Sequence, residues 1–564
     1  MKNNEFTVMN KKKVFLIYPT LVGEIVNSLA QLASVFEDEG FTVRALINSF
    51  KKPLSNHDFI RSVKEFDPDV VAISTLTYEM LNTYKLIKLL NEEGYTVLVG
   101  GPHATNCPEE VVENGADIVV RNEGEETVRE LCRYWSGKAI HTDINKLGEK
   151  WNQRYDKGIR APEILSSTHT EGLGAILGIT YMDNTSGKII SNPPRKRIVD
   201  IGSIPVPNYD VFDHDVFRDN DNLIRGTHRI YTTRGCPATC TFCDWRVFGQ
   251  RVTFESIPKI IKEMKRRVRD YGTTNFTIAD DVFTVNKTHV EKFCAEVSKI
   301  RPKVEWQAST RAEFVNAEML EMMKKSGCYL VSYGLESGDE ETLLRMDKRV
   351  KLEDNLKAPK LASRAGLKVY ANLMVGFPWE TPKSIDNTLK MVHVLWEDVF
   401  LFQVSGSLVP FPGTRTYDEY ASEYGFKDYW LKEGYQQFGI QTYQNNENPF
   451  LVSTYYQRNL FDDSYIQEER FFNYSKEYKA KVAEFVFEIG RHNLENIYPN
   501  QLIKQKILLT VSKISYYVYK VFPNLEKIII GNIYEMVRIG GRRPASESKR
   551  DRRRGIGKKS GLKG

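Results

Sequence analysis

Over roughly the first 145 residues, short apolar runs alternate with stretches whose apolar positions recur at helical spacing. VFLIYP (14–19), TVRALI (42–47), VVAIST (70–75), TVLVGG (96–101) and DIVVRN (117–122) are rich in Val and Ile and read as strands. Between them, EIVNSLAQLASVFEDEG and YEMLNTYKLIKLLNEEG read as amphipathic helices that each stop at a glycine. Strands that alternate with helices are parallel neighbours joined by right-handed crossovers. The pattern predicts a Rossmann-like α/β domain over 1–145, with its ligand site at the carboxyl ends of the strands.

Residues 146–225 lose this regularity; SNPPRKR and the Pro-spaced SIPVPNYDVFDHDVF predict a connector with a small β element. Alternation resumes over 226–425. Strands are expected at HRIYTT (228–233), NFTIAD (275–280), VEWQAS (304–309), YLVSYG (329–334), KVYANLMVG (368–376) and FQVSGSL (402–408). Six βα units suit an open, partial barrel better than a closed eight-unit one. Residues 426–540 are aromatic and mostly helical in pattern, and 541–564 form a basic tail that is expected to be disordered.

Length and charge refine this picture. A chain of 564 residues exceeds a single core, which stops growing at about 250–300 residues. With 41% hydrophobic and 27% charged residues it has the balance of a soluble globular protein. The basic N-terminus leads into VFLIYP, too short for a secretory signal and without a small-residue cleavage site, so a cytoplasmic location is expected. The net charge of +6 is misleading: 541–564 carry ten Lys or Arg against two acids, +8, which leaves the rest near −2. No recognition motif accompanies the tail, so nucleic acid is not the expected partner.

The cysteines carry the strongest chemical signal. Cys107, Cys132, Cys294 and Cys328 are scattered, as buried small hydrophobes are. Cys236, Cys240 and Cys243 crowd into RGCPATCTFCDW, directly after a predicted strand. A four-iron cluster normally takes four thiolates, so three local ones leave an iron open. A structural zinc is the competing reading, but it needs a fourth ligand, and the nearest histidine, His228, precedes the strand.

CxxxCxxC at the end of the first strand of a six-unit βα barrel resembles the radical S-adenosylmethionine superfamily. The resemblance implies that the open iron is chelated by the amino and carboxylate groups of S-adenosylmethionine. An electron from the cluster then cleaves the sulfonium to a 5′-deoxyadenosyl radical. Phe242 fits the aromatic position of the family motif. The resemblance further places Asp280 and Asp281 near the methionyl ammonium, Arg311 at its carboxylate and Glu336 at the ribose, with Met374 and Gly376 of NLMVGFPWET against the adenine. Each could instead be a solvated strand-end residue or a salt-bridge partner; as a set they fall at the same end of different strands, which is how barrel sites are built.

The N-terminal segment is similar to cobalamin-binding domains. The likeness rests on Ser74, Thr75 and Thr77 in STLT, on Gly100, Gly101 and His103 in GGPHA, and on RNEGEETVREL. Many such domains carry DxHxxG after the first strand, with the histidine as lower cobalt ligand. Here Tyr18, Thr20 and Gly23 take those places, so no histidine ligand is expected from this position. His103 could reach cobalt, the corrin edge or solvent. A plain nucleotide-binding domain is the alternative, weakened by the absence of G-x-G-x-x-G in the first turn.

In 501–537, lysines 506, 513, 520 and 527 recur every seven residues among Ile, Leu, Val and Tyr. Such a stripe describes either a helix lying in a membrane interface or one covering the protein's own core; the basic tail favours peripheral contact with an anionic membrane face. The expected activity is that of a cobalamin-dependent radical enzyme. The leading reading is a methyltransferase on an unactivated carbon of a hydrophobic, lipid or isoprenoid-like substrate. A ring-forming or oxidative cyclase is the second, and a non-catalytic cobalamin sensor with a structural cluster the third. Its cofactors would be a 4Fe–4S cluster, S-adenosylmethionine and cobalamin, with a flavodoxin or ferredoxin as electron donor.

Overall fold

A computed structural model of the chain describes residues 12–49, 51–140, 172–183, 185–218, 224–432, 472 and 474–497. All of these belong to one compact unit, Met1–Asn500. The lysine-striped segment, the basic tail and much of the connector lie outside the described residues.

The first sheet has seven strands: β1 Lys13–Val22, β2 Thr42–Ser49, β3 Val70–Ser74, β4 Thr96–Gly100, β5 Ile118–Val120, β6 Ile179–Asp183 and β7 Lys188–Ser191. Their order is 2-1-3-4-5-6-7, and the first five are parallel. β1 is buried along nearly its whole length because helices cover both faces. Val14 and Leu16 join the layer of Ala30, Phe36 and Trp135, whereas Phe15 and Ile17 join that of Phe59, Val63 and Ile87. The β element expected in the connector is the hairpin β6–β7, which runs antiparallel to β5 and extends this same sheet.

The second sheet is wholly parallel and follows chain order: β8 Arg229–Ile230, β11 Asn275–Ile278, β12 Glu305–Thr310, β13 Cys328–Glu336, β14 Lys368–Val375 and β15 Leu401–Ser407. HRIYTT is not one strand. Only Arg229–Ile230 joins this sheet; the chain then turns away as β9 Thr233–Arg234, which pairs antiparallel with β10 Thr253–Phe254. The loop between β9 and β10 is the cysteine loop.

The open edge of β15 is covered by the helix Lys476–Ile497. Asn493 stands in for a strand: its Oδ1 accepts from the Phe402 N–H at 3.0 Å and its Nδ2 donates to the Phe402 carbonyl at 2.7 Å. This removes unpaired groups from an edge that would otherwise be available for pairing. Among the described residues, no helix is long and apolar enough to cross a membrane.

Candidate functional site

The cysteine loop starts at Gly235, and only glycine serves there. Its φ is +95°, and a Cβ would stand 2.6 Å from the Arg251 carbonyl oxygen. The backbone is then tied down from several sides. The Cys236 N–H donates to the Gly249 carbonyl at 3.3 Å, the Thr241 N–H to Met346 at 2.9 Å, and the Thr416 N–H to the Thr241 carbonyl at 3.0 Å. Arg415 adds a hydrogen bond to the Thr239 carbonyl.

Cys236, Cys240 and Cys243 line a cavity of about 320 Å³ together with Phe242, Asp281, Arg311, Glu336, Lys348 and Asn372. Arg311 Nη1 lies 3.5 Å from Cys240 Sγ, and Arg311 is fixed from its other side by Glu313 at 2.5 Å and by the Lys348 carbonyl. Glu336 ends β13 at φ +61°, beside a register shift after Gly334. A non-glycine residue held there costs on the order of 1–3 kcal/mol, and such strain gathers at functional sites. The buried Lys348 ammonium holds the carboxylate at 3.3 Å.

Three residues expected around S-adenosylmethionine stand elsewhere. Asp280 is buried outside the cavity lining; it accepts from the Thr232 N–H at 2.6 Å, from the Thr233 N–H at 3.0 Å and from the Thr232 hydroxyl. Its carboxylate splices β11 to the start of the cysteine loop, and burial pushes its pKa up to about 6. Asp281, in the bend that follows, lines the cavity, and Asp280 does not. Gly376 is also committed: its N–H donates to Glu380 Oε2 at 2.7 Å and to Tyr478 Oη at 2.9 Å, and its carbonyl accepts from Tyr474. Met374 packs against the apolar cluster that also takes Phe242 and Trp379; Asn372 is the residue of β14 that lines the cavity.

A second cavity, of about 460 Å³, opens at the carboxyl ends of the first sheet. Ser74, Gly100 and Gly101 line it, with Ala72 and Asn122. Gly101 has φ +105° and ψ −179°, and a Cβ there would meet the Thr75 carbonyl oxygen at 2.8 Å. Its glycine is demanded by the neighbouring turn. Thr75, Thr77 and His103 do not line this cavity. Thr75 pairs with the Thr83 hydroxyl at 3.0 Å, and His103 is wholly buried behind the floor with Nδ1 3.2 Å from Thr77 Oγ1. His103 therefore does not face the space where a corrin would lie, and no histidine is among the lining residues.

The two cavities share one wall, made by Asp244, Val247, Phe248 and Asp281. The loop that carries the cysteines thus also closes the N-terminal cavity. It is anchored to that domain by Arg234, whose guanidinium donates to Glu123 at 2.9 Å and Glu125 at 2.7 Å, and by Asn106, which donates to Asp244 at 2.5 Å. Glu123 and Glu125 are two of the three acids of RNEGEE. Asp244, Lys348 and Asn372 are not singled out by the sequence reading; only Asp244, adjoining the last cysteine, carried a positional signal.

The donor set discriminates between metals. Burial raises the Cys236 thiol pKa, so a cationic centre is needed to hold it as thiolate. Among the described residues, no histidine or fourth cysteine joins the lining. The arrangement fits a cluster with one open iron. Small residues flooring the second cavity likewise fit a flat, bulky ligand.

Comparison with known proteins agrees with both fits. The family model described as the radical SAM superfamily matches residues 230–392, and that of the B12 binding domain matches 25–132. An uncharacterised methyltransferase of Pyrococcus horikoshii is 30% identical over 428 residues, 73% of this chain and 84% of that one. The cytidylyl-2-hydroxyethylphosphonate methyltransferase of Streptomyces wedmorensis is 28% identical over 340 residues, 58% of this chain and 61% of that one. The fold is shared with the radical S-adenosylmethionine methyltransferase TsrM from Kitasatospora setae, at TM-score 0.57 and 18% identity over 74% of this chain and 77% of that one. With both domain models matched in sequence and a 30% identical relative covered over most of its length, the chain belongs to the cobalamin-dependent radical S-adenosylmethionine methyltransferase family, enzymes that employ a 4Fe–4S cluster, S-adenosylmethionine and cobalamin.

Proposed function

We propose that this enzyme methylates an unactivated carbon of a hydrophobic, lipid or isoprenoid-like substrate held between its two cofactor cavities. The observation that carries the reading is the common wall of Asp244, Val247, Phe248 and Asp281. When bound, the cluster supplies the electron that opens S-adenosylmethionine, and cobalamin supplies a methyl carrier. The chain's own residues do the positioning. Cys236, Cys240 and Cys243 hold three irons; Arg311, braced by Glu313, meets the methionyl carboxylate, Asp281 the ammonium, and Glu336 the ribose hydroxyls. Ser74, Gly100 and Gly101 floor the corrin site. Val247 and Phe248 give the shared wall an apolar part, which favours an apolar substrate. A flavodoxin or ferredoxin provides the electron.

Anaerobically reconstituted protein, supplied with S-adenosylmethionine labelled in its methyl group and a lipid extract from the parent cells, tests the reading. Label in a lipid product together with 5′-deoxyadenosine is the expected result, and Cys240→Ala abolishes both. 5′-Deoxyadenosine with an unlabelled, oxidised or cyclised product would overturn methyl transfer.

A further inference from the structure

Behind the floor of the N-terminal cavity, a second metal-ligating cluster serves neither cofactor. His103, Cys107 and Glu110 are spaced i, i+4, i+7, and the chain turns between the short helices Pro102–Asn106 and Pro108–Glu113 so that one ligand atom from each lies within 4.8 Å of the others. Among the described residues, this is the one place where three such atoms meet so closely. His103 is fully buried, and its Nε2 makes no hydrogen bond. Glu110 Oε1 stands 3.5 Å away. That is long for a charged hydrogen bond, about 2.7–2.9 Å, and near the edge of a tetrahedron around zinc, about 3.3 Å for nitrogen and oxygen ligands.

The surroundings resemble the outer shell of a metal site. Thr77 Oγ1 lies 3.2 Å from Nδ1 and fixes the ring, leaving Nε2 directed at the cluster. Tyr84 donates its hydroxyl to Glu110 Oε1 at 2.5 Å, and Trp430 donates its indole N–H to the same oxygen at 3.0 Å. Ligating histidines and carboxylates are characteristically held by such second partners. Trp430 comes from beyond the barrel, so the carboxylate also joins distant segments.

We propose that His103 Nε2, Cys107 Sγ and a Glu110 carboxylate oxygen bind a divalent zinc ion, with water in the fourth position, as a structural pin. Binding breaks the Cys107 S–H bond, forms a Zn–S bond and releases one proton to solvent; no electron is exchanged. The site is separate from the cluster and from cobalamin.

Holoprotein purified anaerobically, with the triad filled by its cluster, is exposed to zinc chloride, desalted, and measured for iron and zinc together. A single zinc per chain in addition to the cluster iron is expected, with zinc-edge absorption showing one sulfur neighbour at about 2.3 Å. Cys107→Ser and Glu110→Gln, both more conservative than altering the buried His103, should each weaken zinc binding by at least tenfold in chelator competition, while cluster absorbance is unchanged. No retained zinc in the wild type, three sulfur neighbours, or equal retention by Cys107→Ser would each overturn the assignment.

Discussion

Replacing Gly101 with alanine should damage the fold, whereas the same change at Gly100, one residue earlier, should not. At Gly101 the backbone sits at φ +105° and ψ −179°, a region essentially closed to residues with a side chain, at a cost of about 1–3 kcal/mol. The new Cβ would also lie 2.8 Å from the Thr75 carbonyl oxygen, a main-chain atom that cannot rotate away; relieving such crowding costs about another 1–3 kcal/mol. Together these suggest about 4 kcal/mol and a fall in Tm on the order of 5–10 °C. At Gly100 the nearest atom to a built Cβ is the Val120 oxygen at 3.7 Å, ordinary contact, and φ is not positive. Gly100→Ala should melt within a degree or so of the parent. Thermal unfolding of both variants without cobalamin, followed anaerobically by circular dichroism, separates backbone strain from loss of ligand. If Gly101→Ala melts together with Gly100→Ala, the turn does not require glycine and the reasoning fails.

Three further outcomes follow from buried charges. Lys348→Met removes the ammonium 3.3 Å from Glu336 and should weaken S-adenosylmethionine about tenfold in calorimetric titration, the loss of one oriented charged contact; an unchanged Kd contradicts the role given to Glu336. Arg234→Met leaves Glu123 and Glu125 buried without their shared cation. The expected loss is about 3–5 kcal/mol, read as a lower Tm and faster proteolysis, and an unaltered Tm would mean the clamp is idle. Glu79, buried in the 3₁₀ turn Thr77–Glu79, has its carboxyl pushed up to about 7 by burial. A raised folded pKa favours the folded state fully below the unfolded value of about 4.5, and that contribution is lost as pH rises through 7. Glu79→Gln should therefore stabilise the protein by up to about 3 kcal/mol at pH 8 and by nothing at pH 4; a pH-independent difference in urea unfolding would refute it.

The elements legible in the sequence are those with sustained periodicity. β12 and β14 alternate buried and less buried residues as their apolar pattern implies, while β13 breaks the alternation at Leu330–Val331 and Leu335–Glu336. β9 and β10, two residues each, are too short to carry a period, so HRIYTT looks like one strand. Residue types at strand ends identify which loops matter but not which way each side chain turns. Asp281 reaches the cavity while its neighbour Asp280 stitches two strands together, and Ser74 faces the floor while Thr75 faces Thr83. His103 looks like a ligand-facing loop residue because its burial comes from distant segments: Trp430 lies more than three hundred positions away, its ring centroid 5.1 Å from the imidazole. Lys348 is invisible because it lies in the loop after a short helix, with no pattern of its own to show that its ammonium meets the Glu336 carboxylate at 3.3 Å.

The stretch from Arg234 to Phe248 does not respect the boundary that two family models draw. It leaves the barrel sheet, carries the cysteines, closes the neighbouring domain's cavity and is gripped by that domain's acids. A chimera that exchanges the N-terminal domain between relatives and keeps the recipient's cysteine loop would mismatch Arg234 against unfamiliar partners and leave a cofactor cavity with a foreign wall. The N-terminal cavity is built by the domain together with this loop, so a chimera that moves both should keep its fold where one that moves the domain alone loses stability.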